Sequence, residues 1–225
     1  MFKATPAKSE YVTRKQIVDR RLKDAGWKVV RFDTEHPKPL SLLERCAIEE
    51  YPTEAGPADY ALCVGGKILG IVEAKKLTLG PENVLMQAER YSWGLLDSPF
   101  DFRGFHVPFL YSTNGEVIWY HDVRDELNRS REVQGFHTPD ALAEFLVRDF
   151  DGSLAKLAIL PNDHAKILAR PYEGEANAEV EKAIRERKRQ MLVAMATGTG
   201  KTFTMVNEVY RLMKSGVAKR ILFFG

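Results

Sequence analysis

Apolar residues recur along this chain first at helical and then at strand-like spacing, and they divide the first 150 residues into short alternating elements. Apolar positions three and four residues apart predict a helix over residues 10–25, which ends at Gly26. Trp27–Phe32 is typical of a first strand. Three more helices are predicted in this part of the chain, at 40–50, at 81–96, and from an N-cap at Thr138 to about Arg148.

The clearest local pattern is a hairpin formed by Asp59–Val64 and Ile68–Lys75. Both strands are apolar on both faces, which is typical of central strands covered on two sides. A three-residue loop at 65–67 would pair Val64 with Ile68 and place Asp59 opposite Glu73. A two-residue turn would require a bulge to restore that pair. The three-residue loop assigns Leu69 to the face of Ala61, Cys63 and Ile71, and Ile68 to the face of Tyr60, Leu62, Val64 and Val72.

The pattern predicts two domains, at 1–150 and 169–225, joined by a linker at 151–168 that is rich in turn residues. A second hairpin is predicted at 107–120, with a turn at Asn114-Gly115. In the second domain a charged helix over 173–190 precedes a short apolar strand, Met191–Met195. Another helix is predicted from Thr202, and Arg220–Phe224 begins a further strand.

Composition and charge indicate an ordinary globular protein, with 44% hydrophobic and 28% charged residues. The 33 basic and 31 acidic residues leave a net charge of +2, which by itself does not indicate a nucleic-acid partner. Cys46 and Cys63 lie in unrelated contexts and are predicted to be buried free thiols. No apolar signal core and no run of about 18 apolar residues occurs, so no membrane association and a cytoplasmic location are predicted.

Asp59, Glu73 and Lys75 are candidate catalytic residues, because the predicted register places all three side chains on one face at the open end of the hairpin. Carboxylates such as those of Asp59 and Glu73 hold Mg²⁺, and a lysine beside them can act on the attacking water or the scissile phosphate. This set predicts metal-dependent cleavage of a phosphodiester. A solvated Glu-Lys pair at an ordinary strand end is the alternative.

Residues 56–62 and 70–76 closely resemble motifs II and III of the PD-(D/E)xK nucleases, in particular the N-terminal nuclease domain of type I restriction enzyme R subunits. Gln87 and Tyr91, one turn apart on the next helix, match the QxxxY motif of this nuclease branch. The resemblance implies a mixed sheet flanked by helices, and a role for Gln87 and Tyr91 in orienting the active site or the DNA backbone. It also implies an acidic residue on the first helix, which is Glu10 or Asp19. His106 and His121 are predicted to be structural.

The second motif is a phosphate loop, Thr197-Gly198-Thr199-Gly200-Lys201-Thr202, between a short strand and a helix. Backbone N–H groups there can surround phosphates, Lys201 can reach their oxygens, and the Thr202 hydroxyl can hold Mg²⁺. The form resembles superfamily 2 helicases, and R subunits especially. Arg170-Pro171-Tyr172-Glu173 resembles their adenine-recognition segment, although glutamate replaces the usual glutamine, which puts adenine selectivity in doubt.

The resemblance covers nearly the whole chain and implies an ATP-dependent restriction subunit that cleaves double-stranded DNA in complex with methylation and specificity subunits. Mg²⁺ and ATP are the implied cofactors. Two alternatives are a superfamily 2 DNA-dependent ATPase with a non-cleaving nuclease-like domain, and an inactive truncated relic. Residues 169–225 are expected to be the incomplete start of a RecA-like domain, because they contain no acidic DExH box. No ATP turnover is therefore expected from these 225 residues alone.

Overall fold

The protein is described by a computed structural model that covers residues 17–74, 82–95, 98–161 and 170–224, with 82–87 described by their backbone only. These residues form two compact units, which divide between Val147 and Arg148. The first unit carries a seven-stranded sheet and the second is helical. Within the described ranges no helix is both long enough and apolar enough to cross a bilayer.

The described residues of the first unit form ten named elements. In chain order they are α1 (Asp19–Asp24), β1 (Lys28–Arg31), β2 (Cys46–Tyr51), β3 (Ala58–Val64), β4 (Lys67–Ala74), α2 (Glu82–Trp93), β5 (Phe109–Thr113), β6 (Ile118–Asp122), β7 (Arg131–Val133) and α3 (Pro139–Leu146). The strands lie in the sheet in sequence order. β1 and β2 are parallel, as are β4 and β5, and the other neighbours are antiparallel. The predicted mixed sheet with flanking helices is confirmed.

Two elements of the first unit differ from the sequence-based predictions. The helix predicted over 40–50 is wrong, because Leu40–Leu42 form only one 3₁₀ turn and Cys46–Tyr51 form β2. β2 pairs with β1 on one side and β3 on the other, and these sheet contacts override the local helical spacing. β7 was not predicted, since its exposed, charged residues show no apolar alternation. At α3, Thr138 is the N-cap as predicted, and its side chain accepts a hydrogen bond from the Ala141 N–H at 3.2 Å.

The sheet lies between two hydrophobic cores. The first core includes Leu22 of α1, Leu142 of α3, and the aromatic side chains of Tyr60, Phe109 and Tyr111. The second core includes Ala88 of α2, Leu95, and side chains from the opposite face of β2 to β5. β4, the middle strand of the seven, is buried along nearly its whole length. The end of β4 therefore lies at the centre of the sheet, between the two layers.

Cys46 and Cys63 are directly opposed on β2 and β3, so the prediction that they lie in unrelated contexts is wrong. Both are buried in the second core, and both are free thiols, as predicted. The Cys63 thiol donates to the Leu43 carbonyl at 3.1 Å. Burial raises the pKa of the Cys63 thiol to about 11, and the nearby Cys46 adds to this effect. Both thiols are therefore in a packed, structural environment.

His137 joins several aromatic side chains of the first unit. Its Nδ1 lies 2.7 Å from the Tyr111 hydroxyl, its carbonyl accepts a hydrogen bond from the Trp27 indole at 2.9 Å, and its ring lies 4.6 Å from the ring of Tyr120. Burial, and to a smaller extent Arg131, lowers the pKa of His137 to about 4. The folded unit therefore holds this imidazole in its neutral form, whereas an unfolded histidine has a pKa of about 6.5.

This difference predicts that acid destabilises the first unit. Above about pH 6.5 His137 is neutral in both states, and its contribution to stability is fully present. Between about pH 6.5 and 4 the unfolded chain binds a proton that the folded chain does not, so the free energy of unfolding falls. We expect the urea midpoint, followed by tryptophan fluorescence, to drop less between pH 7.5 and 5 in His137→Asn than in the wild type. Equal drops in the two proteins would refute this role of His137.

The second unit contains α4 (Phe150–Ile159), α5 (Pro171–Arg185) and α6 (Lys201–Ser215). Arg211 of α6 is buried and connects all three helices. It donates to the Glu181 carboxylate at 2.7 Å, to the carbonyls of Leu157 at 3.1 Å and Pro161 at 3.0 Å, and to the Leu160 carbonyl. The guanidinium thus satisfies the carbonyls at the end of α4 and neutralises a buried carboxylate of α5.

The strands predicted at 191–195 and 220–224 are not formed in the described part of the chain. Leu192 is 93% exposed and Phe224 is 91% exposed, so neither segment is covered. A strand is stabilised by backbone hydrogen bonds to a neighbour, and within the described residues neither segment pairs with another strand. The two segments are apolar, as the sequence shows, but they do not form strands in the described structure.

Candidate functional site: two strand-end carboxylates and a phosphate loop

The hairpin of β3 and β4 closes with a two-residue turn, not with the predicted three-residue loop. Val64 pairs with Lys67, and Gly65 and Gly66 occupy the turn with φ of 55° and 73°. Two central residues with positive φ suit the right-handed twist of a hairpin, and glycine adopts this conformation without strain.

A β-bulge then shifts the register by one residue. Cys63 pairs with Ile68 but Leu62 pairs with Gly70, so Leu69 is the additional residue on β4. Ile68 therefore packs in the second core and Leu69 in the first, the reverse of the predicted faces. Beyond the bulge Tyr60 pairs with Val72, so Asp59 comes next to Glu73. The predicted opposition of Asp59 and Glu73 is present, but a bulge produces it.

Glu73 lies on the face of the sheet that α2 covers, because it is two residues from Ile71 of the second core and its neighbours Val72 and Ala74 belong to the first. Asp59, opposite Glu73, projects to the same face. Glu73 is 2% exposed and Asp59 is half-buried. One oxygen of Asp59, Oδ2, accepts a hydrogen bond from the Ala74 N–H at 2.7 Å. This bond connects the ends of β3 and β4 and fixes the orientation of the Asp59 carboxylate beside Glu73.

The other predicted site residues are described only in part. Lys75 and Glu10 lie outside the described residues, and Gln87 is described by its backbone in α2. Tyr91 is half-buried and packs against the second core, on the same side of the sheet as Asp59 and Glu73. Asp19, the alternative to Glu10, accepts a hydrogen bond from the Tyr60 hydroxyl, and Tyr60 belongs to the first core. Asp19 thus contacts the opposite face of the sheet.

Glu50 is a neighbour of the site that the sequence analysis missed. Its neighbours Glu49 and Tyr51 pair with Tyr60 and Ala58, which places Glu50 beside Asp59 across the β2–β3 ladder. Its φ of 55° is unusual for a residue with a side chain. A helix was predicted for this segment, so no sequence signal placed Glu50 on a strand next to Asp59.

The two histidines that were predicted to be structural lie in different environments. Nδ1 of His106 lies 2.8 Å from the Leu95 carbonyl and so connects the chain after α2 to the loop before β5. His121 lies on β6, opposite Leu110, and burial lowers its pKa. Among the described residues no group of three or more histidine, cysteine, aspartate or glutamate side chains is arranged to hold a metal ion.

The phosphate loop occupies the segment just before α6. Gly198 and Gly200 have φ of 79° and 82°, and the Thr199 hydroxyl donates to the Ala196 carbonyl at 2.6 Å. Gly200 is the N-cap of α6, and Lys201 and Thr202 follow it in the first turn. Thr197, Lys201 and Thr202 are exposed. The loop therefore presents a helix N-terminus and a lysine to solvent, an arrangement suited to anions.

Comparison with known proteins connects both sites to restriction enzymes. Residues 38–146 match the family described as the second domain of the type I restriction enzyme EcoKI endonuclease subunit. Residues 166–225 match the family described as the res subunit of type III restriction enzymes. The EcoKI endonuclease subunit of Escherichia coli (strain K12) is 33% identical in an alignment that covers 92% of this chain. The chain is similar to type I restriction endonuclease subunits along most of its length.

A second curated relative is also a type I subunit, and both curated relatives are much longer than this chain. The EcoAI endonuclease subunit of Escherichia coli is 30% identical over 54% of this chain. The chain spans 22% of the EcoKI subunit and 16% of the EcoAI subunit. A solved fragment assigned to an HsdR subunit of a type I restriction enzyme from Vibrio vulnificus YJ016 is 24% identical, with a TM-score of 0.44, over 94% of this chain and 39% of that structure.

The two strand-end carboxylates have the donor chemistry that Mg²⁺ requires. Mg²⁺ prefers oxygen ligands, and protein sites often supply one or two carboxylates while water and substrate phosphates supply the rest. Asp59 and Glu73 provide two carboxylates on one face, and the Asp59 orientation is fixed by Ala74. The residues present therefore fit a magnesium ion.

Proposed function

We propose that this chain is the nuclease part of a type I restriction endonuclease subunit and that it cleaves double-stranded DNA in the presence of Mg²⁺. The observation that carries the proposal is the opposition of Asp59 and Glu73 at the end of the central strand β4. The family match over residues 38–146 supports it. We assign the protein to the cytoplasm, the location that the sequence predicts.

In this proposal Asp59 and Glu73 hold the metal. The ion would supply Lewis acidity for the scissile phosphate and favour a deprotonated attacking water. The buried position of Glu73 strengthens its attraction to a cation, because little water screens the carboxylate. The hydrogen bond from Ala74 holds Asp59 in one orientation, so less freedom is lost when a cation binds.

Lys75, Gln87 and Tyr91 would complete the site on the DNA side. Lys75 follows Glu73 by two residues in the sequence, and its ammonium would lie near the attacking water or the phosphate, as the nuclease resemblance implies. Tyr91 lies on the α2 side of the sheet with the two carboxylates, where its side chain would orient the site or the DNA backbone. Glu10 is the proposed acidic contribution of the first helix.

The second unit would begin an ATP-driven motor. The match of residues 166–225 to the res subunit family supports this, as does the phosphate loop at the start of α6. Thr197 to Gly200 would surround the phosphates with backbone N–H groups, Lys201 would contact phosphate oxygens, and the Thr202 hydroxyl would hold the Mg²⁺ of the nucleotide. We propose methylation and specificity subunits as the partners of the longer protein.

A plasmid-nicking assay tests the nuclease proposal on the 225-residue chain. We expect supercoiled plasmid to be converted to nicked circles in Mg²⁺ and not in EDTA. Lys75→Ala should abolish nicking, because the cation beside the reacting groups is lost. Glu132→Gln, which changes an exposed carboxylate on β7, is the matched control and should nick like the wild type.

Two results would contradict the proposal. Nicking by Lys75→Ala at the wild-type rate would remove Lys75 from the site. Plasmid binding without cleavage in any metal condition would favour the alternative, a DNA-binding domain attached to a superfamily 2 ATPase.

A further inference from the structure

Glu173 lies at the start of α5 and is 5% exposed. Its Oε2 accepts a hydrogen bond from the Arg170 N–H at 2.8 Å, which satisfies a backbone donor at the helix N-terminus. One oxygen of the carboxylate is therefore engaged with the backbone of its own helix. The side chain does not extend toward solvent, where a nucleotide base could approach it.

The second oxygen of Glu173 reaches the phosphate loop. A Cβ added at Gly200 would collide with Oε1 of Glu173 and would lie 3.3 Å from the carboxyl carbon. Gly200 has a φ of 82° and is the N-cap of α6. A glycine is required at this position for two reasons, the positive φ and the close approach of Glu173. The carboxylate thus lies directly against the backbone of the loop.

This contact places a negative charge where the loop would receive phosphate. The N-terminus of α6 and Lys201 attract anions to the same place. In the described part of the chain no lysine or arginine forms an ion pair with Glu173. The negative charge of this carboxylate, which lies beside Gly200, would repel any phosphate group that enters the loop.

We propose that Glu173 is an intramolecular competitor of nucleotide phosphates at this loop. The inference rests on the proposed nucleotide binding of the second unit and adds a residue that weakens it. Because both oxygens of Glu173 face backbone atoms, of Arg170 and Gly200, the effect depends on phosphate charge and not on the identity of the base. Mg²⁺ bound to the phosphates reduces the repulsion, so Glu173 makes binding more dependent on Mg²⁺.

The Glu173→Gln variant tests the effect of the negative charge without changing the start of α5. A glutamine oxygen can still accept the Arg170 N–H, so the start of α5 is retained, and the negative charge is lost. The ¹⁵N-labelled 225-residue chain is titrated with pyrophosphate, and the amide signals of Gly198 and Gly200 report binding. Without Mg²⁺ we expect the pyrophosphate concentration at the titration midpoint to be at least about tenfold lower in Glu173→Gln than in the wild type. Adding Mg²⁺ should lower this concentration by a smaller factor in Glu173→Gln than in the wild type.

Glu186→Gln is the matched control, since it removes an exposed carboxylate at the other end of α5 and should leave the midpoint unchanged. Equal midpoints in Glu173→Gln and wild type, or no binding by either protein, would overturn the proposal. If Glu173→Gln bound ATP more tightly than the wild type but bound pyrophosphate no more tightly, the proposal would also be overturned, because Glu173 would then act on the base. Adding Lys201→Ala to Glu173→Gln should abolish the glycine shifts. Shifts that persist would instead contradict nucleotide binding by the loop.

Discussion

In a full-length subunit that contains this chain, Glu73→Gln is expected to abolish DNA cleavage while ATP hydrolysis continues. The substitution keeps the size of a side chain that is 2% exposed, and it removes the negative charge that would hold Mg²⁺. Loss of a group that only hydrogen-bonds to a metal ligand lowers metal affinity or activity roughly 10- to 100-fold. Loss of a ligand itself should therefore reduce cleavage by more than about a hundredfold. Asp59→Asn should behave in the same way. Cleavage of unmodified plasmid and release of phosphate are measured in the same reaction.

The phosphate loop supplies the reciprocal control. Lys201→Ala should abolish phosphate release, because the loop then lacks the side chain that contacts phosphate oxygens. The two variants together separate the two chemistries, which we assign to separate units of the chain. Wild-type cleavage in Glu73→Gln would remove Glu73 from the site. Loss of ATP hydrolysis in the same variant would show that its effect is not confined to the nuclease.

Arg211→Met is expected to destabilise the second unit by about 3–5 kcal/mol, the range measured when one partner of a buried ion pair is removed. The Glu181 carboxylate, 8% exposed as a side chain, would lose its partner, and the carbonyls of Leu157 and Pro161 would lose their donor. Hydrogen exchange resolved by peptide should show faster exchange in α4, α5 and α6 together. This readout is needed because the three tryptophans, Trp27, Trp93 and Trp119, all belong to the first unit.

Lys214→Met is the matched control, because Lys214 lies on the same helix but is exposed. Its exchange should match that of the wild type, and β4 serves as an internal reference in each protein. If exchange in α4 stays protected in Arg211→Met, Arg211 does not hold the three helices together.

Much of the sheet was predictable because local pattern and tertiary environment agree there. β3 and β4 are apolar on both faces and form the centre of the sheet, as expected for central strands. The helix predicted at β2 was wrong because β2 is stabilised by pairing with β1 and β3, which the local spacing of its apolar residues does not show. The predictions at 191–195 and 220–224 failed for the opposite reason, since their apolar residues have no neighbouring strand to pair with in the described structure.

At the candidate site the residue types were predictable and the geometry was only partly so. The spacing of Asp59 and Glu73 indicated carboxylates on opposed strands, and the structure places them so. The sequence did not reveal the turn length, the bulge at Leu69 or the position of Glu50, because each depends on the register of a neighbouring strand. Whether Lys75 joins the two carboxylates is still a prediction.

The bulge at Leu69 makes the spacing of the two carboxylates depend on a count of backbone residues. Deleting Leu69 would remove the bulge and keep Asp59 opposite Glu73, because Leu62 would still pair with Gly70. Inserting one residue between Leu69 and Gly70 without a second bulge would bring Val72, which projects to the other face, opposite Asp59. Homologues should therefore tolerate loss of one residue at this point of β4 but not gain of one, even though no residue in that segment contacts DNA or metal in the proposed mechanism.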